Sequence, residues 1–140
     1  MANGVVSIAP FVRSLGQADI RVSLFIEPSR GQLDAAKSLG APVVELHTGA
    51  YCEAQGSGRE KHLHAIRDCA AYGVSLGLEV HAGHGLAFES VGAIAEIPEL
   101  SELNIGHFLV GEAIFSGLEA AIRNMRTLID EARTRADASA

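Results

Sequence analysis

"PVVELHTG", residues 42–49, alternates side-chain types: Val44 and Leu46 are apolar, Glu45 and His47 are polar. A period of two places alternate residues on opposite faces of a strand, so this stretch predicts a strand with one greasy and one polar face. Three further segments repeat the pattern. In "RVSLFIEP" (21–28), Val22, Leu24 and Ile26 oppose Ser23 and Glu27. In "GLEVHAGH" (77–84), Leu78 and Val80 oppose Glu79 and His81, and "ELNIGHFLVG" (102–111) adds Asn104 to the polar side.

Helical spacing fills the intervals. It is clearest near the end, where Ile114, Leu118, Ile122, Met125, Leu128, Ile129 and Ala132 recur every three or four residues. "SRGQLDAAKSLG" offers Ser29 as N-cap and Gly40 as stop, and "REKHLHAIRDCAAYG" is expected to stop at Gly73. Strands alternating with helices imply a parallel α/β architecture, because parallel neighbours need crossover connections. An open sheet covered on both sides is apolar on both faces, whereas a barrel covers only its outer face with helices and can turn polar groups inward near its mouth. The polar second face therefore favours a (β/α) barrel of the TIM type. Four βα units make half of the usual eight, and such a half-barrel must pair with something or leave edge strands exposed. "NGVVSIAPFVRSLGQADI" reads as a helix that follows an earlier strand, as if the chain begins within a repeat.

The 140 residues suit one domain, 1–140, with "DEARTRADASA" from 130 expected as a fraying tail. A formal charge of -6 without a basic run argues against nucleic acid and anionic membranes as partners. No stretch approaches the roughly 20 apolar residues of a membrane span and the start lacks a basic leader, so a cytoplasmic location is expected. Cys52 and Cys69 form neither a CxxC pair nor a disulfide framework, and free thiols are expected.

Ligands of parallel α/β folds sit beyond the carboxyl ends of the strands. There "ELHTG", "VHAGHG" and "NIGHF" bring histidine and glycine to one rim. Glycine lets a ligand approach backbone N–H groups, which donate to phosphate oxygens, and the last two barrel loops are the usual phosphate site. A single histidine at a strand end is commonly structural, but three on one rim point to a site. Glu45 and Glu79 either pair with histidines or face water, and His62 and His64 are expected on an exposed helix face. A metal is the other reading of His47, His81, His84, His107 and Glu45, although these histidines show neither the HxH nor the HExxH spacing.

The words "RVSLFIEP", "VELHTGAY", "LGLEVHAGHGL", "IPELSELNIGH" and "EAIFSGLEAAIRNMRTLI" run in order from about residue 20 to residue 133. In them the chain resembles the C-terminal half of the pyridoxine 5'-phosphate synthase family of vitamin B6 biosynthesis. The resemblance implies a barrel transferase that condenses 3-amino-2-oxopropyl phosphate with 1-deoxy-D-xylulose 5-phosphate, releasing phosphate and water, with no metal or organic cofactor. It implies His84 as proton donor, Gly85 as a substrate contact, and Gly106 with His107 on a substrate phosphate. It also implies small phosphorylated substrates as ligands, with a homo-oligomer or a complementing half-barrel as protein partner. Histidine suits such chemistry because its unperturbed pKa near 6.5 lets it give and take protons at neutral pH. The family's early-strand word of the type "NIDHVATLR", its basic histidine and glutamate and its substrate arginines have no counterpart in these 140 residues. A truncated gene product, a fragment or one half of a split enzyme would each account for that.

Overall fold

The alternation decides which strand faces are buried. In the computed structural model, which describes residues 2–138 and the side chains from Ile8 onward, the four strands form one parallel sheet in the order β1-β2-β3-β4. Helix α1 (Ala2–Gln17) leads into β1 (Ser23–Ile26), α2 (Arg30–Leu39), β2 (Val43–His47), the short α3 (Gly49–Glu53) and α4 (Gly56–Ser75). The chain continues through β3 (Glu79–Gly83), α5 (Phe88–Ala95), β4 (Leu100–Asn104), α6 (His107–Ser116) and α7 (Leu118–Asp137). Four parallel strands linked by helical crossovers make half of a TIM-type barrel.

Register turns the alternation into layers. Leu24, Val44, Val80 and Leu100 form one row across the sheet, and Ile26, Leu46, Ala82 and Leu103 form the next. These rows pack against Leu33 and Ala36 of α2, Ile66, Cys69 and Ala70 of α4, and Ile94 of α5. Burying each large aliphatic side chain contributes roughly 1.5–3 kcal/mol, which makes this face the main source of stability. The opposite face carries the row Phe25, Glu45, His81 and Glu102, followed by His47, Gly83 and Asn104.

Several boundaries differ from the sequence expectation. The fourth strand spans residues 100–104 rather than 102–111, because Gly106 opens α6 and the apolar residues after it are helical. A register shift after Val80 sets Leu100 opposite Val80 but Glu102 opposite His81, which leaves Ser101 as the extra residue of a bulge. The terminal helical pattern is two helices, since Gly117 breaks it at φ 84°. Gly73 lies inside α4, which ends at Ser75 with Leu76 as C-cap and Gly77 in the left-handed region. Glycine is needed at 73 for another reason: a Cβ there would lie 2.8 Å from Val80 Cγ2.

Gly40 does stop α2, at φ 80°, with the Ala41 N–H returning to Ala36 O at 3.3 Å. Ser29 occupies the N-cap position, but its side chain makes no capping hydrogen bond. The expected frayed tail from residue 130 is helical through Asp137. Its order has a visible cause, because Ala132 is buried and Arg133 donates to Ile97 O at 2.8 Å and also to Leu100 O. Among the described residues, no helix is long and apolar enough to cross a membrane, and Cys52 and Cys69 are free thiols.

Candidate active site

The carboxyl ends of the strands surround a cleft of about 520 Å³. His84, Gly85, Gly106 and His107 all line it, together with Phe25, Glu45 and Asn104. Four residues singled out from the sequence are thus brought together by the ends of β3 and β4. His84 and Gly85 are consecutive left-handed residues, at φ 78° and 84°. This tight turn ends β3 and leaves both residues exposed at the rim. Left-handed backbone is natural for glycine and costs a residue with a Cβ roughly 1–2 kcal/mol, so surrounding contacts must hold His84 there.

His47 flanks His84, with ring centroids 4.8 Å apart and the planes tilted by 56°. Phe25 meets the His47 ring edge-on at 5.1 Å. His47 Nδ1 lies 2.8 Å from Glu27 Oε1, and because a carboxylate only accepts, the imidazole donates from Nδ1. Gly49 lets this pair stand close to the α3 backbone, since a Cβ there would be 2.7 Å from His47 Nε2.

Beyond β4, Gly106 and His107 begin α6, whose first N–H groups have no partner within the helix and suit an anion. Phe108 packs edge-on against Phe88 of α5 at 4.7 Å and anchors that first turn. Gly106 has an ordinary φ of -117°, and a Cβ on it would meet nothing within 4 Å. Among the described residues nothing requires glycine at 106; the space it leaves is open.

Not every polar residue of the inner face belongs to the cleft. His81 is buried within the sheet, with Nε2 2.8 Å from Glu79 Oε1 and Nδ1 3.7 Å from Glu102 Oε1. Its hydrogen bond, followed by that of Arg21, holds the Glu79 carboxyl below the ordinary glutamate range. Among the described residues Glu45 has no histidine partner; it accepts from Asn104 Nδ2 at 2.9 Å. His62 and His64 lie on α4 away from the cleft lining, His64 exposed and His62 half-buried. Among the described residues, no three His, Cys, Asp or Glu side chains gather as a metal-binding set.

Two further residues stand close to the backbone of residues 83–85, neither of them a site candidate from the sequence. Thr48, fully buried, lies with its hydroxyl 2.8 Å from Gly83 O and 2.6 Å from His84 O. Only its place directly after a strand-end histidine hinted at a role. Cys52 sits under Gly85, and burial pushes its thiol pKa up, which favours the neutral form.

A parallel half-barrel with a histidine- and glycine-lined cleft at its strand ends defines a protein of the (β/α)-barrel fold class. The family model described as "Pyridoxal phosphate biosynthesis protein PdxJ" matches residues 1–131, and the chain belongs to that family. The pyridoxine 5'-phosphate synthase of Rhodospirillum rubrum is 56% identical over 133 residues, covering 94% of this chain and 53% of its own length. The synthase of that name from Ruegeria pomeroyi is 54% identical, covering 90% of this chain and 52% of its own. The corresponding Zymomonas mobilis protein is 54% identical over 132 residues, with 94% and 52% covered. The chain therefore spans about half the length of the curated relatives it matches.

Proposed function

We propose that this chain supplies the proton-donating and phosphate-holding part of a pyridoxine 5'-phosphate synthase site. In this reading 3-amino-2-oxopropyl phosphate condenses with 1-deoxy-D-xylulose 5-phosphate to form pyridoxine 5'-phosphate, phosphate and water in the cytoplasm, without a metal or organic cofactor. The observation that carries it is the convergence of His84, Gly85, Gly106 and His107 on one cleft. His84 is the acid for steps that expel water, Gly85 offers its backbone to substrate, and Gly106 with His107 holds a phosphate through N–H groups and the imidazole. The acidic chain gives no long-range attraction for an anion, so these local donors must supply the binding.

Bases and arginines for the other half of the reaction would come from a complementing half-barrel. The outer edges of β1 and β4 have no strand partner among the described residues, which fits such pairing. The test is product formation by this chain alone, by this chain with the N-terminal half of a relative, and by the same assembly carrying His84→Ala. Full product formation by His84→Ala would overturn the acid assignment.

A second reading is an inactive half-barrel that binds phosphate ligands or associates with itself. It draws on α6, which buries no residue and exposes Ile114 at 79% and Phe115 at 88%. Inorganic phosphate titrated by NMR distinguishes the outcomes: no shift at Gly85, Gly106 or His107 removes the binding role from both readings.

A further inference from the structure

His84 occupies a backbone conformation that its side chain disfavours, and the residue directly after the neighbouring strand β2 contacts both peptide groups that flank it. The carbonyl before His84 is Gly83 O and the carbonyl after it is His84 O. The Thr48 N–H donates to Gly83 O at 2.9 Å, while its single hydroxyl proton is shared between Gly83 O at 2.8 Å and His84 O at 2.6 Å. Thr48 is completely buried, so water does not compete for these bonds. The orientations of the two carbonyls largely fix φ and ψ of the residue between them.

We propose that Thr48 is a positioning residue that holds His84 in its left-handed conformation and so aims the imidazole into the cleft. The inference rests on the reading of His84 as the acid, and it adds the means by which that acid is placed. The preceding residue supports the ring, since His47, tied to Glu27, stands 4.8 Å from the His84 ring. The last residue of β2 and the one after it thus serve the ring and the backbone of the same histidine. A threonine suits the backbone role because it pairs a donor with a branched methyl that fills buried space; valine keeps the shape and lacks the donor.

The discriminating experiment is a stability cycle on the full chain with Thr48→Val, His84→Gly and the double variant. Glycine adopts φ near 78° without penalty. Thr48→Val should therefore reduce the folding equilibrium constant on the order of tenfold in the parent and much less in the His84→Gly background. Equal losses in both backgrounds would make the hydroxyl merely structural and overturn the proposal. If Thr48→Val alone does not fold, folding of the double variant supports the clamp, and failure of both overturns it. In the competent assembly, Thr48→Val should lower kcat about tenfold with KM nearly unchanged, and Thr48→Ser should restore most of it. A normal rate for Thr48→Val would overturn the positioning role. Full activity of His84→Ala would instead remove the acid reading, while the stability cycle still reports on the backbone clamp.

Discussion

Asn104 of β4 donates to Glu45 of β2 at 2.9 Å, although the two strands are not neighbours. The bond passes over β3 at Gly83, where the missing side chain leaves room for it. A Cβ at 83 would lie 2.7 Å from Asn104 O and 2.9 Å from Asn104 Cβ, and would overlap Glu45 Oε1. Gly83 itself is not left-handed, so space alone demands glycine here.

Gly83→Ala should therefore destabilise the chain by about 1–3 kcal/mol, the usual cost of overpacking a site whose neighbours include backbone. Urea unfolding would measure it. Asn104→Ala in the Gly83→Ala background should then cost less than alone, because the bond it removes is already disturbed.

Gly106 presents the opposite case, because its Cβ would enter open space at an ordinary φ. Gly106→Leu should leave stability within about 0.5 kcal/mol of the parent. Affinity for inorganic phosphate, read from NMR shifts at His107, should fall at least roughly tenfold as the side chain fills the approach to the α6 N–H groups.

Acid stability should depend on Glu79. Its carboxyl is held below the ordinary value of 4.5 by the hydrogen bond from His81 and then by Arg21. A lowered folded-state pKa stabilises the fold above the unfolded value, and that contribution disappears as pH falls through the folded value. Glu79→Gln should consequently show a shallower loss of stability below about pH 4.5 than the parent in urea titrations at several pH values.

Both thiols should be slow nucleophiles. Burial pushes the pKa of Cys52 and of Cys69 above the ordinary thiol value, which leaves little thiolate at neutral pH. Iodoacetamide followed by mass spectrometry should label Cys52, which is partly accessible, before buried Cys69, and denaturant should remove the difference.

The exposed apolar ridge of α6 should affect association more than folding. Ile114 and Phe115 contact solvent over most of their surfaces, so Phe115→Ser should shift stability by no more than about 0.5 kcal/mol. Any self-association seen by size-exclusion chromatography should weaken in that variant.

The strand faces, the parallel half-barrel and the rim that gathers His84, Gly85, Gly106 and His107 are legible in the chain without coordinates, because period-two alternation and glycine–histidine clusters are local properties. A strand and a helix after Asn104 are not distinguishable in the same way, since the apolar run "FLVGEAIF" suits either until Gly106 is seen to open α6. The bulge at Ser101 emerges only in the folded sheet, where it shifts β4 by one residue and turns Glu102 and Asn104 onto the polar face. Without that shift, strict alternation from Leu100 would direct Asn104 toward the helices and away from Glu45. The Thr48 contacts with the carbonyls around His84 likewise join residues 35 and 36 positions apart. Such contacts depend on strand register and on two carbonyl directions, which exist only once β2 and β3 lie side by side.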